Sequence, residues 1–376
     1  MAEPFKNLLN AGVVQAMGHH LQKASPGFER ARFEAVALDG LDTLELKARA
    51  HRLADALAAT LPSRFDDAAT VLEAALGPAG IGDDLGSLRT SEHGLAGWAV
   101  WPMTEYVARH GQADAPRALA ALHAMTQRFS AEWAIRPFIL NHPELSFETL
   151  ARWAGDDSAH VRRLVSEGSR PRLPWGMVLK PLTLDPSPTL PLLARLQDDP
   201  SEYVRRSVAN HLNDIAKDHP GIVLQWLQQH LPDAPAPRVR LLRHASRSLL
   251  KQGDAAVLAA WGLGAAMKGH ASLALSPARA AIGGEVTLDV QLQSTATTAQ
   301  RLLVDYAVHH VKANGSTSAK VFKGWTVPLA AGEHRSLVKR HSLKLITTRR
   351  YHPGLHRVVL LVNGAELADA RFELLG

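Results

Sequence analysis

Asp156-Asp-Ser-Ala-His-Val161-Arg162-Arg163-Leu-Val165 returns forty-three residues later as Asp199-Pro-Ser-Glu-Tyr-Val204-Arg205-Arg206-Ser-Val208. A third copy, Pro237-Arg-Val239-Arg240-Leu-Leu, lies thirty-five residues further on, and Ser130 followed by Ile135-Arg136 is a fainter echo upstream. In each unit an Asp or Ser stands where a helix needs an N-cap, sometimes with Pro at the first helical position. The Val faces inward, and the Arg after it faces the neighbouring repeat or the concave side. D-x-x-x-x-V-R at a spacing of 35–45 residues is the pattern of HEAT repeats, which stack helix pairs into a curved solenoid.

Upstream and downstream of these units, to about residue 268, the chain keeps a helical grammar. Leu44 to Leu61 places apolar residues at three and four spacing, and Pro and Gly fall at segment ends. Near residue 271 the period changes to two. Ala271 to Ser276, Glu285 to Gln293, Leu302 to Val311, Lys320 to Leu329 and His356 to Val362 alternate polar and apolar residues, with turn signals at Asn314-Gly315 and Asn363-Gly364. About seven strands without helix predict a β-sandwich of immunoglobulin type, lacking the Cys…Trp…Cys framework. The expected architecture is mainly α: a HEAT-like-repeat α-solenoid over residues 1–268, then an all-β immunoglobulin-like sandwich over 271–376.

Composition narrows the function. The 376 residues are 46% hydrophobic and 21% charged, enough to bury large cores in two or three domains. Zero cysteines exclude disulfides, thiolate metal sites and cysteine nucleophiles. Nineteen histidines are scattered, and His19-His20 and His309-His310 are adjacent rather than at ligand spacing, so no metal or other cofactor is expected. No apolar run approaches the roughly 18 residues of a membrane helix, and Met1 to Asn10 has no leader character, so a cytoplasmic monomer without membrane contact is expected. The formal net charge is +6; residues 270–376 hold 13 Lys and Arg against 7 Asp and Glu, and residues 158–251 hold 14 against 8. Such a balance suits a polyanionic partner.

Three features point to chemistry on that polyanion. Arg162, Arg163, Arg170, Arg172, Arg205, Arg206, Arg238, Arg240, Arg243 and Arg247 come from successive repeats, so a solenoid lines them along one groove, suited to regularly spaced phosphates. Carboxylates and tryptophans are set among them: Glu132 precedes Trp133, Glu167 lies eight residues before Trp175, and Asp214 follows Ser207 to Asn213. Each acid also has a local ion-pair partner, Glu132 with Arg136, Glu167 with Arg163 and Asp214 with Lys217. Finally, Glu167-Gly-Ser-Arg-Pro-Arg172-Leu-Pro174-Trp175-Gly stops a helix and holds an indole in an extended turn, ready to stack on a base or cover a cationic ring.

Four ordered blocks then carry a family resemblance: Trp98-Ala-Val-Trp101-Pro-Met-Thr-Glu-Tyr106-Val; Arg128-Phe-Ser-Ala-Glu132-Trp133-Ala-Ile-Arg136-Pro-Phe; Val161 to Gly176; and Tyr203 to Lys217. Together they resemble the AlkC branch of the HEAT-like-repeat DNA glycosylases, over most of residues 1–265. The resemblance implies excision of N3-methylated bases, 3-methyladenine and 3-methylcytosine, from double-stranded DNA, by Glu132, Glu167, Asp214 and Trp175. It accounts for an immunoglobulin-like domain after the solenoid. The physical reading agrees: a base methylated at N3 is already cationic and leaves without an acid, so an anion near C1′ and a water are what the reaction requires. DNA contacts are expected from Trp133, Arg136, Arg162, Arg163, Arg170, Arg172, Arg205 and Arg206. From the C-terminal domain, Lys339, Arg340, Arg349 and Arg350, with Lys344 clustered between strands, are expected to clamp DNA. No lysine stands at a key position, so a monofunctional enzyme leaving an abasic site is expected. The rival readings are a non-catalytic HEAT protein that binds damaged or branched DNA, and a protein–protein scaffold.

Overall fold

A computed structural model describes residues 5–345 and 350–376. The helices are α1 (Ala11–Ala24), α2 (Arg30–Leu38), α3 (Leu46–Thr60), α4 (Phe65–Ala74), α5 (Val100–His110), α6 (Ala115–Thr126), α7 (Arg136–Asn141) and α8 (Pro143–Trp153). They continue with α9 (Ala159–Gly168), α10 (Lys180–Leu184), α11 (Leu190–Leu196), α12 (Glu202–Asp218), α13 (Pro220–His230), α14 (Ala236–Ala245), α15 (Arg247–Gln252) and α16 (Ala255–Ala260). The chain divides into two compact units, residues 1–219 with 234–245 and residues 220–233 with 246–376.

The repeated sequence units become α9, α12 and α14, inner helices that follow one another in the first unit. Val161, Leu164 and Val165 on α9, and Val204 and Val208 on α12, are fully buried, which is what the 3.6-residue period demands of an inner face. Both helices start by the same device. Asp156 Oδ1 accepts from Ser158 N–H at 2.8 Å, and Asp199 Oδ1 accepts from Ser201 N–H at 2.9 Å. Ser201 Oγ in turn accepts from Val204 N–H and caps α12.

The first Arg that follows a repeat Val, Arg162, ties one repeat to the next. Arg162 donates to the carbonyls of Asp156 and Asp157 and forks onto Asp199 of the next unit at 2.6 and 3.0 Å. Arg205 repeats the first half of this, donating to the carbonyls of Asp199 and Pro200, and Arg238 forks onto Asp198. Arg162, expected at the DNA surface, is therefore an inter-repeat tie, because a guanidinium beside a buried carboxylate gains more there than in water.

The second unit holds helices α13, α15 and α16 together with eight strands: β1 (Gly269–Ser276), β2 (Arg279–Ala281), β3 (Glu285–Ser294), β4 (Gln300–Val311), β5 (Thr317–Leu329), β6 (His334–Ser342), β7 (Gly354–Val362) and β8 (Ala365–Leu375). They form a three-stranded sheet β1-β3-β6 and a five-stranded sheet β2-β8-β7-β4-β5, antiparallel except for β2 against β8. Inner-face residues such as Val290, Leu292, Val304, Leu360 and Val362 fill the space that a disulfide and its tryptophan occupy in antibody domains. At the β7–β8 turn, Gly364 (φ 84°) approaches Gly253 (φ 76°), the left-handed end of α15; a Cβ on Gly364 would stand 3.3 Å from Gly253 Cα.

The basic cluster expected between strands is differently placed. Lys339 and Arg340 lie within β6 and, being consecutive, point to opposite faces. Lys339 donates to Lys323 O at 2.7 Å and stands over the Trp325 ring, while the exposed Arg340 reaches Glu285 at 3.5 Å. Arg349 lies outside the described residues. Arg350 lines a concavity of about 390 Å³ with Lys312, Lys320, His310 and His352.

Removing the Arg162 guanidinium strands Asp199, only 6% exposed, without its charge partner. Arg162→Ala is expected to lower unfolding free energy by about 3 kcal/mol while leaving the salt dependence of DNA binding unchanged. Denaturant titration and a log–log salt plot read the two quantities.

Candidate active site

Glu132 lies in the turn before α7, Glu167 on the last turn of α9, and Asp214 on the late half of α12. Repeat stacking brings these three acids, far apart in sequence, into one ion-paired row of the first unit. All three are buried: Glu132 is 8% exposed, Glu167 6% and Asp214 2%. Ionised carboxylates with so little water need cations, and the neighbouring segments supply them in alternation.

Arg163 donates to Glu132 Oε2 at 2.7 Å and lies 3.7 Å from Glu167 Oε1. Arg170 donates to Glu167 Oε1 at 2.6 Å and to Asp214 Oδ2 at 2.8 Å. Lys217 completes the row, donating to Asp214 Oδ1 at 2.8 Å. The order is thus Glu132, Arg163, Glu167, Arg170, Asp214, Lys217, three negative and three positive groups in strict alternation. Two hydroxyls join it: Ser130 Oγ donates to Glu132 Oε2 and Ser207 Oγ donates to Glu167 Oε2, both at 2.6 Å. Among the described residues, Glu132 Oε1 accepts no hydrogen bond from the protein.

The surroundings set the protonation states. Burial alone would push the Glu167 carboxyl up, but Arg163, Arg170 and Ser207 outweigh it and hold the group below the ordinary carboxylate range. Burial likewise opposes the charge on Arg163, and Glu132 and Glu167 more than restore it, so its pKa rises. Tyr203, whose ring lies 4.9 Å from the Arg163 guanidinium, is pushed up to about 12, chiefly by burial. Behind the cleft, burial pushes the His211 imidazole down to about 4; its Nδ1 lies 2.9 Å from Ser166 O.

The loop after α9 is held from within. Arg136 is wholly buried and donates to the carbonyls of Gly168, Arg170, Pro171 and Met177. Burial pushes its pKa down to about 10. Trp133 donates its Nε1–H to Pro174 O at 3.2 Å and packs against Trp101 with ring centroids 4.6 Å apart. Thus Trp133 and Arg136, expected to touch DNA, both hold the loop from within. Trp175 itself is 62% exposed with φ 62°, a left-handed backbone that costs a bulky residue roughly 1–3 kcal/mol. Lys47 of α3 reaches the Trp175 carbonyl at 3.5 Å.

The remaining arginines divide. Arg163 and Arg170, expected to hold phosphates, are buried in the charge row and unavailable for that. Arg172 and Arg206 are exposed; Arg172 forks onto Asp218 at 2.8 and 2.9 Å, and Arg206 stands 3.4 Å from Glu202. Between α12 and α14, Arg205, Arg206, Arg240 and His244 line a concavity of about 200 Å³ with Glu202 as its one acid. Sequence reasoning missed Ser130, Ser207, Tyr203 and His211. The repeat register carried a signal for Ser207: it occupies the buried position that Leu164 holds one unit earlier, and a hydroxyl where the period demands an apolar side chain needs a partner.

A helical-repeat solenoid whose inner cleft holds three buried, arginine-paired carboxylates beside an exposed indole, with a β-sandwich at its C-terminal end, defines the class of the helical-repeat DNA glycosylases. AlkC of Pseudomonas fluorescens, an alkylpurine DNA glycosylase solved bound to DNA containing an abasic site analogue, matches with 36% identity over 100% of both chains and a TM-score of 0.89. YhaZ of Bacillus subtilis (strain 168), described as an uncharacterized protein, is 35% identical over 97% of both chains. Residues 269–376 match the family described as "Uncharacterised protein YhaZ, C-terminal Ig-like domain". The chain belongs to the AlkC family of DNA glycosylases, with an immunoglobulin-like C-terminal domain.

Because its pKa is depressed in the folded state, Glu167 contributes stability that is complete above about pH 4.5 and is lost as pH falls through the lower folded value. Arg170→Met removes one of the cations that depress it. Carboxyl-carbon NMR titration is expected to show the Glu167 midpoint below 4.5 in the parent and shifted upward in the variant.

Proposed function

We propose that this protein is a monofunctional DNA glycosylase that releases cationic N3-methylated bases, 3-methyladenine and 3-methylcytosine, from duplex DNA. The observation that carries the reading is the charge row: three buried carboxylates gathered together, each within hydrogen-bond distance of a guanidinium group. A single buried ion pair such as Arg162–Asp199 serves to join repeats, whereas three acids from three different segments gathered in one row favour a site that stabilises positive charge.

The chemistry follows from the leaving group. As the C1′–N bond breaks, its electron pair passes to the positively charged base, which departs neutral, and positive charge moves to the sugar. Carboxylates fixed beforehand stabilise that charge without rearranging. Asp214 and Glu167 supply the field. Glu132, whose Oε1 has no protein partner, is placed to orient the water and take its proton as it bonds to C1′. An abasic sugar remains. The exposed Trp175 indole offers a π-face to the cationic base or sugar. AlkC of Pseudomonas fluorescens, with its abasic-analogue DNA, supports the reading by similarity over the full chain.

Phosphate contacts fall to the cations that remain outward: Arg172, Arg205 and Arg206, with Arg240 beside them in the α12–α14 concavity. In the C-terminal domain Arg340 and Arg350 take that role, Lys339 being occupied by Lys323 O and the Trp325 ring.

Glu167→Gln and Asp214→Asn are expected to lose base release by at least about 100-fold while retaining affinity for duplex DNA; release near the parental rate in both sinks the assignment. Measured on 3-methylcytosine duplex, this assay also tests the lesion. Arg206→Ala and Arg172→Ala are each expected to lower the slope of log affinity against log salt by about one unit, and unchanged slopes would assign both arginines to their intramolecular partners alone.

A further inference from the structure

Two oxygens decide what the charge row can accept. Asp214 Oδ2 is taken by Arg170, whose side chain is 9% exposed and which also holds Glu167. Asp214 Oδ1 is taken by Lys217 alone. Lys217 differs from the other two cations of the row: its side chain is 48% exposed, against 14% for Arg163 and 9% for Arg170. It stands on the last turn of α12, three residues after Asp214, on a flexible stem with a strongly hydrated ammonium. One oxygen of the buried acid is therefore held by a half-exposed cation on a flexible stem.

We infer that Lys217 is a resident stand-in for the positively charged substrate: its ammonium neutralises Asp214 in the free protein and is displaced when the cationic nucleotide enters. This rests on the glycosylase reading and deepens it by naming what masks the site. With Lys217 in place the row is neutral, so a polyanion approaches the cleft without repulsion from Asp214. With Lys217 displaced the row is −1, the complement of a +1 base or sugar. A neutral nucleotide has no charge with which to offset the broken pair and leaves Asp214 covered. The freed ammonium returns to solvent or to phosphate, so no bond is made or broken at Lys217.

The measurement is equilibrium binding of the full chain to two duplexes that differ in one abasic analogue, a protonated pyrrolidine or the isosteric neutral tetrahydrofuran. The preference for the pyrrolidine is the readout, because a lost phosphate contact weakens both duplexes alike and cancels. Lys217→Gln and Lys217→Met are expected to raise that preference about five-fold, the size of a half-exposed ion pair, and Lys217→Arg to leave it nearer the parent. Asp214→Asn is expected to abolish it. A preference unchanged or lowered in Lys217→Gln, with Asp214→Asn still abolishing it, overturns the inference and leaves the glycosylase reading standing. A preference that survives Asp214→Asn removes Asp214 as the cation's site and overturns the inference; one that also survives Glu167→Gln counts against the glycosylase reading itself. Borohydride trapping of the protein on abasic DNA that disappears in Lys217→Gln would assign Lys217 a covalent role and likewise overturn the inference.

Discussion

A carboxylate taken out of water must either lose its charge or find a cation, and the inner cleft of this solenoid is organised by that constraint. The alternation Glu132, Arg163, Glu167, Arg170, Asp214, Lys217 gives each of three buried acids a cationic partner. Each interior member serves two neighbours, so the row cannot be shortened from within. Removing Arg170 would free both Glu167 and Asp214 at once, whereas removing Lys217 frees one oxygen at the wet end. The strength of the row lies in its middle and its adaptability at its terminus.

What keeps the row in register is a different use of the same side chain. Arg136 spends its guanidinium on backbone carbonyls at both flanks of the loop that runs from Gly168 to Met177. That loop carries Arg170 into the cleft and Trp175 out of it. One buried side chain thus sets where a charge partner and an exposed indole stand relative to the acids. Arg162 does comparable work between repeats through Asp199. A guanidinium suits both tasks because its planar fork satisfies several acceptors at fixed angles, which an ammonium does not.

This double use explains where the sequence is legible and where it is not. The solenoid was readable from Val161-Arg162 and Val204-Arg205 because burial every 3.6 residues imprints a period. The strands were readable because Asn314-Gly315 and Asn363-Gly364 mark turns between period-two runs. The acids Glu132, Glu167 and Asp214 stood out as costly residues in a basic stretch, and the structure brings them together. Arginine partners were readable only where they are local: Arg163 stands near Glu167 as the i,i+4 spacing suggests, but Glu132 pairs with Arg163 and not with the expected Arg136. Arg136 and Arg162 share the position after the repeat's inward apolar residue with Arg205, yet Arg136 meets carbonyls more than thirty residues away, and Arg162 a carboxylate thirty-seven residues away. Side-chain type and face are local properties, while the choice between carbonyl, carboxylate and phosphate is settled by what the next repeat presents.

The contrast between adjoining grooves shows how one repeat differs from the next at small cost. Moving from the α9–α12 groove to the α12–α14 groove, Glu167 is replaced in register by Asn210, whose Oδ1 lies 2.9 Å from His244 Nε2. The buried acid is gone, and with it the need for a buried guanidinium; Arg206, the counterpart of Arg163, turns outward beside Arg240. With the carboxylate exchanged for an amide, the second groove presents Arg205, Arg206 and Arg240 with Glu202 as its one acid. Duplex DNA bearing a cationic lesion presents both charges a few ångströms apart, the lesion positive and its flanking phosphates negative. On the proposed reading, an acid-rich row beside a basic groove matches that pattern better than a uniformly basic groove, in which nothing would distinguish the damaged nucleotide from the backbone that carries it.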